Sequence, residues 1–247
     1  MNNLEEKYKK IINLFSGIFI VVLFIVAISL VILKYNVEGE VNMPFNLSSI
    51  IVVSNAEGLQ KEEKQAIWDL NLVQNNDVYI EITKNKNYKE TEIIDKIFLD
   101  NFRIINNPQK GEIKIYRPSQ NEKLIYEYKN EYIIDNKLEY DGAENANIKD
   151  LKIANQGGMI MLRFANINLG EYISNDDEIK HDGTILSKID IKNEEIKFKM
   201  AFDITIKLKS EKEYKATIEL DFPAGNVIEE GTSSYEKTSF KDVVFKR

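Results

Sequence analysis

The chain has 247 residues, with 33 Lys and Arg against 40 Asp and Glu, a formal net charge of -7, a mass of 28.6 kDa and a pI of about 5.1. This mild acidity, spread along the chain, argues against nucleic acid as a partner, because phosphate binding needs a basic surface. The absence of cysteine excludes disulfides, thiolate metal sites, a cysteine nucleophile and a lipid-modified cysteine anchor, and the lone histidine excludes a two-histidine metal site within one chain.

Residues 1–10 form a short tail carrying Lys7, Lys9 and Lys10. From Ile18 to Leu33 the only polar side chain is Ser29, and the apolar stretch reaches back to Ile11 past Asn13, Ser16 and Gly17. As a helix, Ile11–Leu33 would measure roughly 34 Å, enough to cross a hydrocarbon core of about 30 Å. Each Leu, Ile, Phe or Val in it favours insertion by roughly 0.3–0.6 kcal/mol, and no charge opposes them. The run is longer than a signal-peptide core. It ends in bulky Val31, Ile32 and Leu33 where a signal peptidase needs small residues. Residues 11–34 are therefore predicted to be an uncleaved transmembrane signal anchor, and the lipid bilayer is the first expected partner, through Ile11 to Leu33. Three lysines precede the span and only Lys34 follows it closely. The positive-inside rule then puts the N-terminus in the cytoplasm and the rest of the chain outside.

Residues 35–46 read as a stalk, with Gly39 and Pro44 resisting helix. Beyond them, apolar and polar residues alternate with period two. The clearest case is Ile196–Leu208, where Ile196, Phe198, Met200, Phe202, Ile204, Ile206 and Leu208 share a face opposite Lys197, Lys199, Asp203, Thr205 and Lys207. After the polar turn Ser210–Glu213, Tyr214, Ala216, Ile218, Leu220 and Phe222 repeat the pattern, which predicts a long hairpin with one buried and one solvated face. Further strands are predicted at Leu47–Ser54, Ile67–Val73, Asp77–Lys84, Glu112–Arg117, Leu124–Lys129, Glu131–Asp135, Lys137–Tyr140, Leu151–Ala154, Met159–Phe164 and Val243–Lys246. Met159–Phe164 is apolar on both faces apart from Arg163, as a central strand would be. Thr91–Ile105 fits either helix or strand and is assigned to strand.

Many short strands at about ten-residue spacing imply a mainly β chain: an N-terminal transmembrane helix followed by an antiparallel β-sandwich-like extracytoplasmic part. The compositional break at Asp141–Lys149 suggests two sandwich-like halves, 47–140 and 150–247. One continuous domain is the alternative.

Few residues suggest chemistry. Ser174–Gly183 is rich in carboxylates, and Asp176, Asp177 and Asp182 are the candidate ligands if it holds calcium. The spacing does not match an EF-hand loop, and a polar loop between strands is the simpler reading. His181 and Asp182 as a catalytic pair would need a nucleophile or metal that no motif supplies. Gln156-Gly157-Gly158 lacks the following Lys-Ser/Thr of a phosphate loop and reads as a turn into a strand. Trp68 lies in an alternating stretch and is expected in the core. No carboxylate pair stands out for glycoside hydrolysis, and no cofactor is implied.

Lys, Ile, Asn and Glu dominate the composition, as in proteins encoded by AT-rich genomes. Trp68-Asp69-Leu70-Asn71-Leu72-Val73-Gln74-Asn75-Asn76-Asp77, the turn Asn155-Gln156-Gly157-Gly158 and the closing Phe245-Lys246-Arg247 resemble uncharacterised membrane-anchored β-rich surface proteins of AT-rich Gram-positive bacteria. The resemblance covers most of the chain. It implies a location and a class but no activity. The expected role is non-enzymatic: binding or structural, at the cell surface, with a protein or cell-envelope polymer as the partner. An envelope hydrolase with an unrecognised carboxylate site and an accessory subunit of a membrane complex are the alternatives.

Overall fold

A computed structural model describes residues 2–41, 43–62, 66–119, 126–145, 151–175 and 178–247. Helix α1 spans Asn2–Val41. Its segment Ile12–Leu33 has a mean hydropathy of 3.1 and is 0% buried, and it is long and apolar enough to cross a membrane. Strand β1 begins at Phe45, so much of the segment expected to be a stalk is helical. One glycine costs a helix only about 1 kcal/mol, and α1 runs through Gly39. Pro44 falls beyond the helix end, where it interrupts nothing.

The remaining elements are β1 (Phe45–Gln60), β2 (Trp68–Lys84), β3 (Ile94–Asn106), β4 (Glu112–Tyr116), β5 (Lys137–Gly142), β6 (Lys152–Ile153), β7 (Gly157–Ser174), β8 (Phe198–Leu208), β9 (Glu213–Phe222), α2 (Val227–Glu230) and β10 (Ser233–Lys237). They form two open five-stranded sheets, ordered β10-β1-β2-β7-β4 and β6-β5-β3-β8-β9. The sheets are antiparallel except for the β5–β6 pair, which is parallel and makes the second sheet mixed. Each sheet takes strands from both sides of Asp141–Lys149, and of that segment residues 146–149 lie outside the described ones. The inner faces close on one large core. Phe202 is fully buried at its centre, its ring against those of Phe102 and Phe164.

The hairpin forms as the alternation requires, with β8 paired to β9 from Phe198↔Phe222 to Lys207↔Glu213. Along β9, buried and exposed residues alternate without a break. Strand β8 departs from the expectation. Ala201, Asp203 and Thr205, on the face read as solvated, are buried as well. The cause lies in β3, whose register shifts between Asp100 and Arg103. Asn101 there adopts φ 51, which carries Asn101 and Arg103 across to Asp203.

Other boundaries move for local reasons. The two strands predicted at Ile67–Val73 and Asp77–Lys84 are one, β2, because the polar Gln74-Asn75-Asn76 continues the strand while buried. Thr91–Ile105 contributes β3. Met159–Phe164 belongs to the interior strand β7, which is entered through Gly157 at φ +110, where a Cβ would lie 2.4 Å from the Ile82 carbonyl oxygen. Of the predicted strand Leu124–Lys129, the first two residues lie outside the described ones and the rest is not strand. Glu131–Asp135 gives part of a 3₁₀ turn, Asn130–Tyr132, and a bridge from Ile133 to Tyr116. Val243–Lys246 contributes one bridge, Lys246 to Lys215.

The chain arrives from α1 at Phe45. That end of the sandwich, with the β2–β3 and β8–β9 connections, is termed proximal. The opposite end, with Gln60, Trp68 and Ser174, is distal.

Candidate functional site at the distal end

Strands β1, β2 and β7 have 16, 17 and 18 residues, against 11 and 10 for β8 and β9. The first sheet therefore overhangs the second distally. The overhang is covered by a 3₁₀ helix, Gly183–Ile189, and by α2, which pack Ile185, Leu186 and Val227 on Ala56, Leu70 and Leu72 in a second, smaller core.

A buried polar layer lies near the boundary of the two cores. Ser54 Oγ donates to Asn76 Oδ1 at 2.7 Å, and Gln74 Nε2 donates to the same oxygen at 2.7 Å. Asn76 Nδ2 donates to Gln74 Oε1 and to the Phe164 carbonyl. The Ala224 N–H donates to Ser54 Oγ at 2.8 Å, tying the segment after β9 to β1. These amides and this hydroxyl satisfy one another, which makes them tolerable inside a β-sandwich.

At the distal surface, Tyr172, Glu178, Ile179, Lys180, Thr184, Ile185, Ser187 and Lys188 surround a concavity of about 400 Å³. The ammonium groups of Lys180 and Lys188 make no ion pair among the described residues. Trp68 is half-buried beside it and meets the His181 ring edge-on, with centroids 5.4 Å apart and an interplanar angle of 73°. Ile67 and Ile173 on the same end are each half exposed. Lys61 contacts buried Asp69 at 3.1 Å and Glu171 at 2.7 Å, closing the start of β2 onto the end of β7. The Lys61–Glu171 pairing joins residues far apart in sequence and carries no local signal.

Asp176 and Asp177 lie outside the described residues. Asp182 is the N-cap of the 3₁₀ helix, accepting from Thr184 N at 2.9 Å and from Thr184 Oγ1. Its carboxylate also sits where a side chain on Gly231 would fall. Among the described residues, no group of three or more His, Asp or Glu is placed to hold a metal ion. His181 packs on the Trp68 ring and has no hydroxyl or carboxylate partner among the described residues.

Two further polar clusters hold the fold together. On the outer face of the first sheet, the Arg163 guanidinium makes a two-pronged pair with Asp77, Nε to Oδ1 at 2.6 Å and Nη2 to Oδ2 at 2.9 Å. It stacks at 4.2 Å on the Tyr126 ring, and Tyr128 is hydrogen-bonded to Asn75 beside it. Burial raises both phenols well above the ordinary tyrosine range. On the second sheet, Asp203 accepts from Asn101 Nδ2 at 2.8 Å and Thr217 Oγ1 at 2.7 Å, with Lys215 Nζ at 3.2 Å. Burial pushes its pKa up, but the hydrogen bonds from Asn101, Thr217 and Lys215 outweigh it and hold the carboxyl at about 2. A group so acidic is ionised at neutral pH and cannot serve as a general acid.

The class these features define is a β-sandwich domain carried on an N-terminal apolar helix, with a capped distal end. Compared with protein families, curated proteins and solved structures, the chain matches none.

Proposed function

We propose that α1 anchors this protein in the membrane as a single-pass, uncleaved signal anchor, N-terminus in the cytoplasm, and that the sandwich stands outside and binds through its distal end. The partner is a protein or a cell-envelope polymer, and no reaction is catalysed. The carrying observation is where the domain leaves apolar side chains in water. Among the described residues, the large ones exposed outside α1 are Ile67, Ile104, Ile105, Met159, Ile173 and Val244. Ile67 and Ile173 flank the distal end, and Ile104 and Ile105 close the end of β3 that points the same way. Exposed apolar groups at the end that also carries a concavity, with lysines that make no ion pair among the described residues, favour a binding surface over a reaction centre. Strand β1 alone spans roughly 50 Å at about 3.3 Å per residue, which lifts that surface clear of lipid headgroups. The lysines before the apolar span, Lys7, Lys9 and Lys10, support the orientation.

The chain has no cysteine, so a single introduced thiol reports cleanly. In wall-free cells a membrane-impermeant maleimide should label Ser187→Cys and leave Asn3→Cys untouched until the membrane is permeabilised. The reverse pattern, or release of a shortened soluble form, overturns the topology. A photo-cross-linking residue at Ile173 should give discrete adducts in intact cells, whereas one at proximal Met159 should not. Equal yields from both would remove the distal-end assignment.

A further inference from the structure

The proximal end carries a second concavity, of about 460 Å³, lined by Asn87, Tyr88, Lys89, Glu90, Lys212, Tyr214 and Arg247. Three cations and one carboxylate thus surround it in a chain whose net charge is -7. The connection that forms one wall runs from Lys84, the last residue of β2, through Asn85-Lys86-Asn87-Tyr88-Lys89 to Glu90 and Glu92, so that three lysines precede two acids. All three lysines are exposed and make no ion pair among the described residues. Opposite them, Lys212 is paired with Glu92 at 2.7 Å and Glu90 at 3.6 Å and reaches the Tyr88 hydroxyl at 3.3 Å, which leaves the loop lysines as the cations open to a ligand.

The position of this loop is fixed from the chain's arrival point. Asn85 N donates to the Pro44 carbonyl at 2.8 Å, and Asn85 Nδ2 donates to the Met43 carbonyl at 2.9 Å. The Asn85 side chain also accepts from Asn87 N, and Tyr88 N donates to the Asn85 carbonyl, so the whole turn is built on that attachment. The apolar span ends at Leu33 and α1 ends at Val41, a helical rise of roughly 12 Å. The headgroup layer fills about 5–7 Å of this. An extended lysine covers much of what remains, and the rest lies within a Debye length of about 8–10 Å.

We propose that this proximal concavity and its lysine loop bind the anionic headgroup of a phospholipid in the leaflet that α1 enters. The inference rests on α1 being a membrane anchor. Lys86 and Lys89 supply charge, and Tyr88 and Asn87 supply hydroxyl and amide donors at the depth where amphipathic groups favour the interface. The consequence is a fixed posture. Pinned at α1 and at the loop, the sandwich stands in one orientation, which sets where its distal end points.

The test uses the full chain in lipid nanodiscs, with a fluorophore on Thr91→Cys, an exposed position beside the loop. Quenching by a headgroup-labelled lipid reads contact. It should be strong in discs containing phosphatidylglycerol and weak in pure phosphatidylcholine. It should fall by roughly fivefold in docked population for each of Lys86→Gln and Lys89→Gln. Inorganic phosphate at the same ionic strength as a chloride control should not compete. Equal quenching in both discs, or no effect of the lysine variants, overturns the proposal, and competition by phosphate reassigns the site to a soluble anion. Failure of the chain to enter discs at all would instead refute the anchor.

Discussion

Asp203 offers the sharpest test of how the second sheet is built. By alternation it belongs to a solvated face, and its removal would then cost well under 1 kcal/mol. In the structure its side chain is 7% exposed and meets Asn101, Thr217, Lys215 and, at 3.5 Å, Arg103. Hydrogen bonds to a buried charge contribute about 1.5–3 kcal/mol each and are not additive, since orphaned partners relax. Lowering the carboxyl from its ordinary value near 3.8 to about 2 corresponds to about 2–3 kcal/mol of stability at neutral pH. We therefore expect Asp203→Ala to cost about 3 kcal/mol, comparable to the roughly 3–5 kcal/mol of Phe202→Ala next door. Asp203→Asn, which keeps some hydrogen bonds, should cost about half as much. Because the folded-state pKa is depressed, the stabilisation is complete above the unfolded value near 3.8 and is lost as pH falls through about 2. Urea unfolding of the full chain in non-ionic detergent, followed by near-UV circular dichroism from about pH 7 to about pH 2, gives both quantities. The difference between wild type and Asp203→Asn should be constant from about pH 7 to about 5 and shrink below about 4. A cost under about 0.5 kcal/mol for Asp203→Ala, or a difference insensitive to pH, would refute the argument that β3 covers this face.

Arg163→Met strands Asp77 beside Tyr126 and Tyr128, and breaking this part-buried pair should lower stability by about 2–3 kcal/mol in the same unfolding assay, below the roughly 3–5 kcal/mol of a fully buried one; the double change with Asp77→Leu should recover much of it. Gly111 sits at φ +90, where an added Cβ would fall only 1.9 Å from Asn166 Oδ1 and 2.8 Å from the Ile167 carbonyl oxygen, so Gly111→Ala should cost at least about 1–2 kcal/mol, while Gly17→Ala, in open space, should leave the melting temperature of the domain unchanged. Calcium should not raise that melting temperature, because Asp182 is already committed to capping Thr184; a saturable rise abolished by Asp176→Asn with Asp177→Asn would restore the metal reading.

The alternation of Tyr214–Phe222 is fully legible because every second residue of β9 meets one uniform apolar surface. The same rule fails at Asp203 because burial there comes from a neighbouring strand's bulge, and the register shift between Asp100 and Arg103 has no signature in β8. At β2 the local pattern points the wrong way in the opposite sense. Gln74-Asn75-Asn76 looks like a turn, since polar triplets usually are, yet these residues lie inside the sheet and find their partners in Ser54, Glu57 and Phe164. The distal site is only partly visible in the sequence. Trp68, His181 and Asp182 stand out for their chemistry, but what assembles them is the overhang of three long strands, and strand length depends on long-range pairing. The lysine loop matches no motif and draws no notice in the sequence; its place in the fold comes from the bond from Asn85 to Pro44.

The amide layer of Ser54, Gln74 and Asn76 has a mechanical consequence. Between two apolar cores, a fully bonded polar seam acts as a bulkhead. The distal compartment can loosen while the seam keeps its own hydrogen bonds and the larger compartment stays dry. The free energy for opening the cap is then set by the few side chains around Leu72, Leu186 and Val227 rather than by the whole domain. Amide hydrogens of the 3₁₀ helix and α2 should thus exchange as a unit well before those of β3 and β8, with the larger compartment shut while the smaller one opens.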